Sequence, residues 1–264
     1  MRAPVNVRRL ALVAAGIGLA LVSTACSGDD TSQAPPTTRT LASQPSAAPD
    51  LSGYPALPAP AAQASATVSC EYPQANRAAK EVTPPSTDAV STAGTVDVAM
   101  TTSQGPIGLT LDRAEAPCTV NSFVSLAQQG YFDGTPCHRL VTSPGLQVLQ
   151  CGDPSGAGSG GPGYRFANEY PTTAFAEDDP AAQQGMVYPR GTIAMANSGP
   201  GGTNGSQFFL VYADSVLPPQ YTVFGTISDE GLATIEKIAA DGDDGSMSAG
   251  GGKPNTPVEI ETVK

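Results

Sequence analysis

The side chains that could carry chemistry in this chain are polar but include no acid–base pair. His138 is the only histidine, so a Ser–His–Asp hydrolase could draw its base from one position alone. The same count excludes most zinc sites built from several imidazoles. No G-x-S-x-G nucleophile elbow occurs. Gly156-Ala157-Gly158-Ser159-Gly160-Gly161 fits G-x-G-x-x-G, but Pro162-Gly163 follows where a phosphate-binding helix would have to start, so it reads as a surface loop. The acidic run Glu177-Asp178-Asp179 lacks the alternating ligand spacing of a calcium loop and reads as a solvated loop. What remains is His138-Arg139, Gln150, Ala196-Asn197 and the stretch Asn204 to Phe209. These are a guanidinium, amides and aromatic rings, which bind and orient rather than attack.

The elements that must position these residues read mostly as strands. Val96, Val98 and Met100 alternate, as do Ile107, Leu109 and Leu111, with Ser103-Gln104-Gly105 as the hairpin loop between them. Val120, Phe123, Val124 and Ala127 keep helical spacing, with Pro117 in the first turn and Gly130 as the stop. Strands are expected near 137–142, 147–151, 192–196, 207–212 and 222–227, and a last one carries Thr256, Val258, Ile260 and Thr262. A second helix carries Leu232, Ile235, Ile238 and Ala239, between Asp229 and Asp241-Gly242. Residues 152–190 show little periodicity. Many strands on short connections with two helices point to a closed antiparallel barrel whose open ends the helices cover. His138 should face opposite to Arg139, as a structural hydrogen-bonding residue, and one of Phe208 and Phe209 should be core and the other pocket.

Composition sets the surroundings. The chain has 264 residues, which allows one or two domains, and a net charge of −11, which argues against a nucleic-acid partner. Arg2, Arg8 and Arg9 precede an uncharged apolar run from Leu10 to Leu21, then Ser23-Thr24-Ala25 and Cys26, the layout of an export signal over residues 1–25. Cys26 after Ala25 resembles a bacterial lipoprotein cleavage site, which would make Cys26 the lipidated N-terminus. Ordinary cleavage after Ala25 also fits. Residues 26–66 hold 27 Pro, Ala, Ser or Thr, and their only larger apolar side chains are Leu41, Leu51, Tyr54 and Leu57. So little apolar surface cannot offset the ordering entropy, and the segment is expected to be a disordered tether. An N-terminal extension, 67–93, would pack on a domain spanning 94–264.

Four further cysteines, Cys70, Cys118, Cys137 and Cys151, suit an oxidising compartment. Centring a hairpin on Pro144 places Cys137 opposite Cys151, within disulfide reach, which leaves Cys70 to pair with Cys118 and staple the extension to the domain. Buried free thiols are the alternative. A metal site fits less well, with no C-x-x-C and no second His.

Taken together, Cys137-His138-Arg139-Leu140-Val141, Leu149-Gln150-Cys151-Gly152-Asp153, Met195 to Pro200, Thr203 to Phe209 and Tyr221-Thr222-Val223-Phe224-Gly225 resemble the cyclophilin family of peptidyl-prolyl isomerases over about residues 94–264. The resemblance implies a mainly β fold, a closed eight-stranded antiparallel barrel capped by two α-helices. It implies catalysis of X–Pro cis/trans interconversion without cofactor or metal. Arg139 matches the catalytic guanidinium. Val148, Phe209 and Leu217 match the apolar cup for the proline ring. Gln150 and Gln207 match positions that orient the substrate backbone, Asn197 with Ala196 grips the peptide on the N-terminal side of proline, and Tyr221 matches a rim position that is often His. The chain departs from the family where a pocket aromatic is missing around Leu146-Gln147, where Val148 replaces the usual Met, where Val216 stands for a Trp found in some members, and where Cys151 replaces a Gly; tight cyclosporin binding is not implied. The expected partners are proline-containing polypeptides outside the cytoplasm. The protein is expected to be a monomer, lipid-anchored to the outer face of the cell membrane and touching it only through that lipid. A non-catalytic proline-peptide binding module, or a chaperone-like one, using the same groove is the alternative.

Overall fold

The structure, a computed structural model, describes residues 49–264 except positions 177 and 200. The export signal, Cys26 and the first part of the tether lie outside the described residues. Two short strands of the extension, β1 (Thr67–Val68) and β2 (Val90–Ser91), pair antiparallel. The first alternating segments form β3 (Thr95–Thr102) and β4 (Gly105–Asp112), with Thr102 opposite Gly105. Helix α1 (Pro117–Gln128) follows and buries Val120, Phe123 and Leu126. Then come β5 (Thr135–Pro136), β6 (Arg139–Ser143), β7 (Leu146–Cys151), β8 (Met186–Tyr188), β9 (Thr192–Met195), β10 (Phe208–Ala213), β11 (Ser215–Leu217) and β12 (Val223–Ile227). Helix α2 (Asp229–Ala240) and β13 (Glu259–Val263) end the chain.

Nine strands form one antiparallel sheet in the order β5-β13-β3-β4-β12-β9-β10-β7-β6. Its edge strands β5 and β6 are consecutive in sequence, separated only by Cys137 and His138, so the sheet is curled. This corrects the expected closed barrel of eight strands. The strand expected near 137–142 is β6, paired with β7, and the short β5 just before it pairs with β13. Side chains alternate across the curl. Leu140, Leu149, Ile193, Phe208, Leu210 and Phe224 enter the main core, where Phe123, Leu126, Leu232 and Ile235 of the helices meet them. Val141, Val148, Ala194, Phe209, Val211 and Val223 face the other way and form a second apolar cluster with Tyr170 and Tyr188. Close packing of β12 on β4 requires Gly225, since a Cβ there would lie 2.4 Å from the Thr110 carbonyl oxygen.

The two helices begin differently. In α2, the Ser228 hydroxyl accepts from the Gly231 N–H at 3.1 Å, and Asp229 and Glu230 follow in the first turn. Ala116 offers α1 no side-chain cap. Glu169, from a distant loop, accepts there from the Cys118 N–H (3.0 Å), the Thr119 N–H (2.8 Å) and the Thr119 hydroxyl (2.7 Å).

Both disulfides form, Cys70–Cys118 and Cys137–Cys151, with Cα atoms 5.6 and 4.0 Å apart. The hairpin register behind the second differs from the expected one. Ser143 faces Leu146 and Arg139 faces Gln150, so the turn is Pro144-Gly145 and not centred on Pro144. Cys137 lies beyond the end of β6, where its N–H bonds to the Val258 carbonyl, and it still reaches Cys151.

Over residues 49–66 the chain differs from a free tether. Ala56 bridges Val187 in parallel, the Val187 N–H donates to the Pro55 carbonyl at 2.9 Å, and the Tyr170 hydroxyl donates to the Pro58 carbonyl at 2.7 Å. Leu57 packs on the second apolar cluster. Composition counts only the segment's own side chains. The open backbone edge of β8 and the neighbouring apolar surface supply the partners it lacks.

Candidate active site

Three adjacent strands set the site by register. Arg139 of β6 faces Gln150 of β7, and Gln150 faces Phe209 of β10. All three project on the face opposite the main core. One step along the strands, Val141, Val148 and Val211 align in the same way. The floor is therefore apolar, with Val148 and Phe209 buried and Ala196, Leu217 and Tyr221 partly covering it. The Phe209 and Tyr221 rings meet edge to face at 5.6 Å.

A directed chain of amides runs along one wall. Arg139 Nη1 donates to Gln150 Oε1, Gln150 Nε2 to Gln207 Oε1, and Gln207 Nε2 to the Gly160 carbonyl, each at 3.0 Å. The other edge of the guanidinium is also engaged, with Nε donating to the Gly250 carbonyl and Nη2 to the Ala249 carbonyl, both at 3.0 Å. A guanidinium has five N–H donors, so two remain for a ligand. Burial pulls the Arg139 pKa below its ordinary value, opposed by Tyr221 and Asp243, and an arginine starts high enough that its charge persists.

Asn197 closes the far side. Its amide donates to the Gln220 carbonyl at 2.8 Å, and its Oδ1 accepts from the Gly199 N–H at 3.1 Å. Among the described residues no protein group takes the main-chain N–H or C=O of Asn197, which leaves both for a bound chain. Val148, Ala196, Phe209, Leu217 and Tyr221 thus share one apolar cluster, Arg139, Gln150 and Gln207 are joined by hydrogen bonds, and Gln150, Ala196, Asn197 and Gln207 line one cavity. Phe208 lies in the main core and Phe209 in the groove. His138 is buried, but neither ring nitrogen has a partner among the described residues, so the expected hydrogen bond is not found. Its pKa is lowered, chiefly by burial, with Asp153 acting in the opposite direction. Sequence reasoning missed Ala249 and Gly250, which act through backbone carbonyls and carry no side-chain signal. It also missed Tyr170 and Tyr188, which lie in the stretch without periodicity.

This curled sheet with a guanidinium beside an apolar floor belongs to a known class. The family model of the cyclophilin type peptidyl-prolyl cis-trans isomerases matches residues 96–264, and the chain belongs to that family. A probable peptidyl-prolyl cis-trans isomerase B of Mycobacterium leprae is 59% identical over 201 residues, 75% of this chain and 66% of that protein. One of Mycobacterium tuberculosis is 57% identical over 213 residues, 79% of this chain and 68% of that protein. The chain thus spans about two thirds of these relatives' own length. A cyclophilin type isomerase of Cryptosporidium parvum, known as a crystal structure, superposes with a TM-score of 0.51 at 28% identity, covering 64% of this chain and 96% of that one.

Proposed function

We propose that this protein accelerates cis/trans rotation of X–Pro bonds in exported unfolded or proline-containing chains, with Arg139 as the catalytic group. Rotation about the peptide bond is opposed by about 18–20 kcal/mol because nitrogen lone-pair resonance stiffens it. The two X–Pro isomers differ by only about 0.5–1 kcal/mol, so the obstacle is kinetic. In the twisted state the nitrogen turns pyramidal and regains its lone pair. A guanidinium N–H aimed there stabilises the twist more than either planar form, which is differential binding of the transition state. No bond is broken, so the residues need only hold the ring on Val148, Phe209 and Leu217 and the backbone on Gln150, Gln207 and Asn197.

The observation that carries this reading is Arg139, with two N–H groups to spare, fixed at the border of that apolar floor. A related Cryptosporidium parvum structure was determined in the presence of the dipeptide Ala-Pro, which supports a proline-containing peptide as substrate. The test is isomer exchange in a short X–Pro peptide followed by NMR. Wild type should speed exchange well above the spontaneous rate, and Arg139→Ala should lose about 10²-fold in kcat/KM, the scale of one lost transition-state donor. Binding of the peptide without any acceleration by wild type would instead make the groove a recognition module.

We also propose export and lipid attachment at Cys26. Two disulfides fit an oxidising compartment. Intact mass before and after reduction should show the diacylglyceryl increment and the gain of four hydrogen atoms; a mature chain without the increment removes the anchor.

A further inference from the structure

The guanidinium of Arg139 is gripped by a loop from another part of the chain. After α2 the backbone runs through Asp243 and Asp244, turns at Met247–Gly250, where the Gly250 N–H donates to the Met247 carbonyl at 3.0 Å, and returns through Gly252. It is fastened to β6 next to the arginine: Leu140 N–H donates to the Gly252 carbonyl (2.8 Å) and Gly252 N–H to the Leu140 carbonyl (3.0 Å). Thr142 Oγ1 adds a bond to Asp243 Oδ2 at 2.9 Å. At the loop base, Asp244 Oδ1 accepts from the Ser246 N–H (3.0 Å) and the Lys253 N–H (2.8 Å). The strand that carries Arg139 therefore also holds the loop whose carbonyls receive it.

We propose that residues 247–252 are a positioning clamp, in which the Ala249 and Gly250 carbonyls hold the guanidinium in its working orientation before substrate arrives. The proposal rests on the catalytic reading of Arg139. A long arginine side chain loses much rotamer freedom when it is fixed, and here the fold fixes it in advance, so none of that ordering falls on the transition state. Two neutral carbonyls direct the donors without cancelling the charge, as a carboxylate would. Gly251 is the point that permits this approach. Its φ is +69°, and a Cβ would lie 2.1 Å from the Leu140 carbonyl oxygen and 2.9 Å from Val141 Cγ2. Gly251→Ala must therefore lift the loop from β6.

The experiment measures kcat and KM separately for the full chain and for Gly251→Ala, Asp244→Ala and Glu261→Gln, each also combined with Arg139→Ala. Gly251→Ala should lower kcat about tenfold with KM little changed, because the loss is one of orientation. Asp244→Ala, an exposed change that cannot empty the core, should act in the same direction by about two- to threefold. Glu261→Gln, an exposed change on β13 outside both clamp and groove, should match wild type. In the Arg139→Ala background, Gly251→Ala should change nothing further, since a clamp without its arginine has nothing to hold. A wild-type kcat for Gly251→Ala, or an equal loss with and without Arg139, overturns the clamp. The Arg139 Nε–H resonance is read independently of catalysis. It should exchange slowly in wild type and fast in Gly251→Ala, and fast exchange in wild type also overturns the clamp. If Arg139→Ala keeps the wild-type rate, the catalytic role of Arg139 fails and the clamp's catalytic purpose fails with it, while a slow Nε–H would still mark the side chain as held.

Discussion

At the scale of single residues, Arg139 matters through its shape as well as its charge. Three of its donors are bound to Gln150, Ala249 and Gly250, and only a planar fork can make those bonds and still present two more. Arg139→Lys keeps the charge but loses the fork, so kcat/KM should fall nearly as far as in Arg139→Ala, by about 10²-fold in the same peptide assay. Retention of more than a third of the activity would mean that charge alone suffices. Arg139, Gln150, Gln207 and Phe209 were legible in the sequence because their chemistry lies in their side chains, and motif order fixed their strands, whereas Asn197 offers its main chain and was found only through its motif. The clamp was not legible. Gly250-Gly251-Gly252 reads as a flexible loop, and nothing in a glycine run tells which distant side chain its carbonyls will face.

At the scale of elements, periodicity located both helices and most of the strands, because a curled sheet buries one face and leaves a period-two pattern. It failed where an element depends on distant partners. Strand β8 and the segment at Ala56 exist through mutual pairing, and neither has a pattern of its own. The start of α1 is similar, since Ala116 is a poor cap and the carboxylate that replaces it arrives from Glu169. Burial raises the Glu169 pKa while those bonds lower it. Glu169→Ala leaves the N–H groups of Cys118 and Thr119 without their acceptor, at a cost of about 2 kcal/mol. That should lower Tm by about 4–8 °C for a chain of this size, read by thermal unfolding. An unchanged Tm would show that water satisfies the helix end equally well.

For the whole molecule, the N-terminal residues 49–66 are part of the fold and not merely its lead-in. Leu57→Ala should cost about 1 kcal/mol for a half-buried leucine, and so lower Tm by about 2–4 °C. No loss would mean that the segment rests on the surface without contributing to stability. Nearby, Glu115 is pushed up to about 7, first by burial and then by the Asp112 charge. An acid with a raised folded-state pKa binds its proton more tightly when folded, so stability falls as pH rises from the ordinary value of 4.5 to about 7. Glu115→Gln should therefore gain Tm over wild type between pH 4 and pH 8, and a pH-independent gap between the two would refute the shift.

The Cys137–Cys151 bond closes a covalent ring around the hairpin that bears Arg139, Val148 and Gln150. A loop of about 15 residues closed in this way restrains the unfolded chain by about 3 kcal/mol. The working hairpin is thus restrained against fraying. It can stay assembled under heat or denaturant that loosens other polypeptides, the conditions in which misplaced prolines most need help.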